Sequence, residues 1–103
     1  MTSDWKIEYH GTALAQFLAD LEDDRALFEA AALTEYLKRR GNQLGEPRSK
    51  SLGGGLFELR GKQIRNFYVF RPGFRIVLLD GMLKKRDDIP GRVFVECESC
   101  KEN

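Results

Sequence analysis

Arginine and lysine are the residues of this sequence best placed to do chemistry. Lys50, Arg60, Arg65, Arg75, Lys84, Lys85 and Arg86 fall in one central stretch, with Tyr68 among them and Arg48 just before. Arginine grips a phosphate as a planar fork, and lysine acts as a point charge. Such a set can bind RNA and stabilise a pentavalent phosphate transition state. A surface that only binds uses the same residue types. Spacing alone does not separate the two.

Other chemistries find less support. His10 is the only histidine, which excludes a histidine-pair nuclease. It reads as a surface residue after the first strand. The carboxylates at 20–24 read as helix caps and a solvated junction, and only Glu58 and Asp80 lie among the basic strands, so no metal site is expected. Cys97 and Cys100 form a lone pair where a closed zinc site needs four ligands. They read as spectator thiols. Gly53-Gly54-Gly55 lacks the Lys-Ser/Thr of a phosphate-binding loop, and no cofactor is expected.

The net charge of +1 hides a segregation. Residues 1–37 carry 2 basic and 8 acidic groups, net −6; residues 38–86 carry 13 and 3, net +10; residues 87–103 carry 2 and 5, net −3. A central +10 segment suits a polyanion, or else its charges are scattered by folding and merely solvate the surface. The 103 residues, 42% hydrophobic and 32% charged, fit a single domain spanning 1–103 with one core. No apolar run approaches the roughly 20 residues of a membrane span. The start, Met-Thr-Ser-Asp, does not read as a signal peptide, so a cytoplasmic protein is expected.

The elements that must position these cations follow from periodicity. Trp5, Ile7 and Tyr9 alternate with polar residues, as in a strand. Leu14, Phe17, Leu18 and Leu21 recur at helical spacing. A second, alanine-rich helix starts at Asp23-Asp24 and ends at Lys38-Arg39-Arg40, where cations suit its negative end, with Gly41 as the stop. Residues 41–55 read as a long loop carrying Arg48 and Lys50. Three strands follow: Leu56–Arg60, Ile64–Phe70 and Phe74–Asp80. Arg65 and Arg75 interrupt strands otherwise apolar on both faces, so each needs a partner or an open face. Asp87 or Asp88 could cap a last helix with Pro90 in its first turn, but Gly91, Val93, Phe94 and Val95 are poor helix formers. The fold class expected is α+β: an N-terminal strand, a helical hairpin, a three-stranded antiparallel meander and a short C-terminal segment that is helical or irregular.

Three ordered stretches carry a family resemblance. Residues 51–60, Ser-Leu-Gly-Gly-Gly-Leu-Phe-Glu-Leu-Arg, resemble the LGGGLYELR stretch of RelE/HigB-type toxins, in particular their phage-derived branch. Residues 64–68, Ile-Arg-Asn-Phe-Tyr, resemble that family's next strand. Residues 76–85, Ile-Val-Leu-Leu-Asp-Gly-Met-Leu-Lys-Lys, resemble its last strand and exit, and Pro90 falls where that exit ends. The similarity spans roughly residues 5–92.

The resemblance implies a toxin of a toxin–antitoxin pair: a metal-independent endoribonuclease, or mRNA interferase, acting on the ribosome. Its products would be a 2′,3′-cyclic phosphate and a 5′-hydroxyl. Arg60 and Arg65 would hold the phosphate; Lys84 or Lys85 would bind phosphate, one of them assisting as base at a lowered pKa. Tyr68 matches a motif tyrosine and joins Arg60, Arg65 and Lys85 as a catalytic candidate. Arg48, Lys50, Arg75, Lys84 and Arg86 are the RNA-binding candidates. The partner implied is a small helix-turn-helix antitoxin. Asp80 departs from the family's histidine, Met82 from its phenylalanine, Asp87-Asp88 from its basic exit, and the tail has no tyrosine. These departures keep a second reading open, a phage-derived module that binds RNA or protein without cleaving.

Overall fold

The computed structural model describes residues 4–85 and 88–101. Its elements are β1 (Lys6–Tyr9), α1 (Ala13–Ala19), α2 (Asp24–Arg40), β2 (Ser49–Gly53), β3 (Leu56–Arg60), β4 (Ile64–Arg71), β5 (Arg75–Leu83) and α3 (Gly91–Lys101). The strands form one five-stranded sheet in the order β1-β5-β4-β3-β2. β1 runs parallel to β5, and the other pairs are antiparallel. The α+β class is as the sequence implies, with one strand more.

That extra strand is β2, in the segment read as a loop. Its glycines and polar residues carry little strand propensity. It exists because Ser49, Lys50 and Ser51 pair with Leu59, Glu58 and Phe57 of β3. A 3-10 turn at Gly41–Gln43 precedes it. Gly41 ends α2 at φ 54°, and a Cβ there would lie 2.0 Å from Nε1 of Trp5, so both the turn and the packing of Trp5 require glycine.

The α1–α2 hairpin covers one face of the sheet. Leu14, Leu37, Leu59, Tyr68, Ile76 and Leu78 meet there, and Ala26 and Ala30 of α2 rest near Ile64. Alanines along that stripe let the helix approach the sheet closely. Asp23 caps α2, its side chain accepting the Arg25 N–H at 2.9 Å.

α3 covers the opposite face. Val93, Cys97 and Cys100 recur at i, i+4 and i+7 and pack on Leu56, Phe67, Val69, Val77, Leu79 and Met82. Burial of this stripe outweighs the weak helix propensity of residues 91–95. Both cysteines are free and buried there. A bulge sets the faces of β5. Phe67 pairs with Asp80 and Tyr68 with Leu78, so Leu79 is the extra residue. Beyond it, Asp80 and Met82 turn toward α3, and Gly81 toward Phe17 of α1. Among the described residues, no helix is long and apolar enough to cross a membrane.

Candidate functional site

The site is built around the short turn between β3 and β4. Glu29 of α2 reaches across to it and accepts the backbone N–H groups of Lys62 (2.9 Å), Gln63 (2.9 Å) and Ile64 (3.3 Å). This carboxylate anchors the turn, and with it the flanking Arg60 and Arg65, which are register partners. The Arg60 N–H donates to the Arg48 carbonyl at 2.7 Å, and the Lys84 N–H to the Gln63 carbonyl at 2.9 Å. Four segments are thereby tied to one place.

Arg48, Arg60, Lys62, Arg65 and Lys84 line a groove of about 500 Å³, with Glu29, Leu33 and Pro47 completing its wall. The Arg48 guanidinium also lies 4.8 Å above the Tyr36 ring, which fixes one end of the groove. A second recess, of about 460 Å³, continues from Lys62 and Lys84 to the exposed Lys85. Glu29 is the acid on the groove wall, and the turn amides occupy its carboxylate. The field in the groove is therefore positive, and a chain of phosphates fits its chemistry.

Behind the groove, Glu58 is 3% exposed. Its Oε1 pairs with Nη1 of Arg65 and lies 3.3 Å from Nε of Arg60. A second buried carboxylate, Asp80, accepts from Nε of Arg92 and from the Gly81 N–H, each at 2.7 Å. Burial and the neighbouring Asp80 push the Glu96 carboxyl up to about 8. Burial also raises the Asp80 carboxyl, but hydrogen bonds from Arg92, Glu96 and Gly81 outweigh it and leave it below its usual value.

The nine residues singled out from sequence do not all gather here. Arg48, Arg60, Arg65 and Lys84 share the groove, and Lys85 extends it. Lys50 is exposed on β2 as register partner of Glu58, on the same side of the sheet. Three depart. Tyr68 is fully buried on the hairpin side, opposite Arg60 and Arg65, with its hydroxyl bonded to Ser49. Burial pushes its phenol up, partly countered by that bond. Arg75 pairs with Glu8 at the opposite end of β5. Arg86 lies outside the described residues. Arg65 and Arg75 each found the carboxylate partner their apolar strands called for.

Sequence reasoning missed Lys62, which falls between the first two strands of the meander, and the anchoring Glu29. The signal for Glu29 was faint: one acid on the sheet-facing side of a helix whose other acids, Asp24 and Glu35, are exposed. Arg92 was also missed. Among the described residues, no three His, Cys, Asp or Glu side chains gather as a metal site.

A mixed sheet between a helical hairpin and a single helix, with cations converging at the β3–β4 turn, defines a small α+β domain of RelE-like fold. It matches a chain in the crystal structure of the toxin–antitoxin complex RelBE2 from Mycobacterium tuberculosis, with a TM-score of 0.59 and 19% identity. The match covers 84% of this chain and 98% of that one. The family model for phage-derived Gp49-like proteins (DUF891) matches residues 16–95, and the chain belongs to that family. No curated protein matches it in sequence.

Proposed function

We propose that this chain is the toxin of a toxin–antitoxin pair, and that it cleaves mRNA on the ribosome without a metal ion. The observation that carries the reading is the groove in which Arg48, Arg60, Lys62, Arg65 and Lys84 face one space. RNA lies along it by its phosphates. The 2′-hydroxyl of one nucleotide gives up its proton, with Lys84 or Lys85 assisting, and attacks the adjacent phosphorus; the bond to the 5′-oxygen breaks and that oxygen takes up a proton, leaving a cyclic phosphate and a 5′-hydroxyl. Arg60 and Arg65 hold the non-bridging oxygens as charge builds on them. Donors fixed beforehand stabilise such charge best, because nothing reorganises at the moment of reaction. Lys84 and Lys85 bind the flanking phosphate. The RelBE2 relative was solved as a complex, which supports an antitoxin partner here. A helix-turn-helix protein with an acidic segment over the groove fits the +10 central charge.

Induced expression tests the reading. Growth and translation should stop, and co-expression of the adjacent gene should restore growth and co-purify with the chain. Arg65→Ala should relieve toxicity. RNA cleavage should persist in excess EDTA, with ribosome integrity controlled for, and leave 2′,3′-cyclic ends. A harmless wild type that leaves mRNA intact would replace this reading with a non-catalytic binding module of the same fold.

A further inference from the structure

Glu58 is a carboxylate set among the very cations that attract substrate. Its neighbours Phe57 and Leu59 pack toward the hairpin, so Glu58 stands on the opposite side of the sheet with Arg60 and Arg65. Those two arginines are register partners, and like charges directly opposite one another repel. One carboxylate oxygen between them removes that repulsion and ties both guanidiniums to β3. Arg60 is held through Nε, which leaves both of its Nη groups for a ligand. Arg65 is held through Nη1, which leaves Nη2.

The geometry points to Glu58 as the positioning residue of this site: it fixes the Arg60 and Arg65 guanidiniums in one arrangement without itself touching substrate. The inference rests on the functional reading above, which gives those arginines the scissile phosphate. Its consequence is a split between affinity and rate. The Glu58 charge opposes phosphate binding, so its removal favours binding. Its removal also frees two long side chains to wander, and small misplacements of this kind cost up to about 10²-fold in rate.

Glu58→Gln keeps the shape and removes the charge, so the single oxygen that serves both guanidiniums becomes at best a neutral carbonyl. Three quantities are read: affinity for a single-stranded 2′-deoxy oligonucleotide, which lacks the attacking hydroxyl; kcat on the matching RNA; and the Arg60 Nε–H signal by NMR. Affinity should hold or rise several-fold, kcat should fall by roughly 10²-fold, and the Arg60 signal should move to the position of a free arginine. If Glu58→Gln does not fold, Glu58→Asp keeps the charge and should lower kcat with affinity unchanged. A folded variant with wild-type kcat and an unmoved Arg60 signal overturns the proposal, as does a parallel fall in affinity and kcat. A wild type that neither binds nor cleaves RNA overturns the functional reading instead. The Arg60 signal then decides on Glu58 alone, and an unmoved signal counts against it.

Discussion

Glu96 of α3 meets Asp80 of β5 carboxyl to carboxyl, and at neutral pH Glu96 keeps its proton. Burial is the main cause, followed by the hydrogen bond to Asp80 and its charge. The folded Glu96 titrates near 8 against an ordinary 4.5. The folded state therefore holds a proton that the unfolded chain has released across that window. The stability this proton contributes is fully present below about 4.5 and is lost as pH rises toward 8. Asp80 has the opposite sign: lowered by folding, it contributes above its ordinary 3.8, and that contribution fades as acid is added. Melting temperature should fall from pH 5 to pH 9, and Glu96→Gln should flatten the fall. An unchanged slope in that variant would show that the pair does not carry the effect.

Salt dependence maps the groove. Each cation on a single-stranded phosphate contributes about 0.7 to the slope of log affinity against log salt. Alanine at Lys62 or Lys84 should lower that slope by about 0.7, whatever the RNA sequence. Alanine at Arg75 should leave it alone, because Arg75 is engaged with Glu8 away from the groove. Titrations of wild type and the three variants between low and high salt give the comparison. Equal slope losses for Arg75 and Lys62 would mean that RNA runs elsewhere.

Tyr68→Phe separates core from site. It removes the partner of the buried Ser49 hydroxyl and should cost about 1–2 kcal/mol of stability, measured by urea unfolding. RNA cleavage should survive at a temperature where the variant is folded. Loss of cleavage in a folded Tyr68→Phe protein would return Tyr68 to the catalytic set.

Glu29→Gln loosens the turn that gathers the groove. One charged acceptor serves three backbone N–H groups there, so the cost should be about 2–3 kcal/mol. Hydrogen exchange should quicken at the amides of Lys62, Gln63 and Ile64 before the rest of the sheet. Exchange that quickens uniformly would mean that Glu29 supports the fold as a whole and not this turn.

The cations of the site were legible because strand and turn order follow from alternation and glycine placement. Arg60 and Arg65 stand on either side of the four residues Gly61–Ile64, and antiparallel pairing sets them opposite each other. What the sequence hid depends on pairing partners far along the chain. β2 has no apolar alternation of its own and takes its form from β3. α3 has weak propensity and is held by the burial of Val93, Cys97 and Cys100. Tyr68 looked like a neighbour of Arg65, but an odd separation of three along a strand places them on opposite faces. Glu29 lies more than 30 residues from the amides it anchors, a distance local patterns do not span.

β5 is two strings spliced out of phase at Leu79. In an unbroken ladder Asp80 would stand across from Asn66 and join the hairpin side. With the splice, every residue downstream changes sides, and the even-numbered ones line up with Arg65. The choice of Lys84 over Lys85 as the groove lysine is thus made five residues upstream, at an apolar residue buried in the core. Point substitutions along this strand alter one position each. Deleting Leu79 itself would straighten the ladder and leave Asp80 and Met82 opposite Phe67 and Arg65 as before, whereas a single-residue deletion between Asp80 and Lys84 would bring Lys85 inward. Relatives that lack the extra residue should therefore keep the spacing between Asp80 and the inward lysine unchanged.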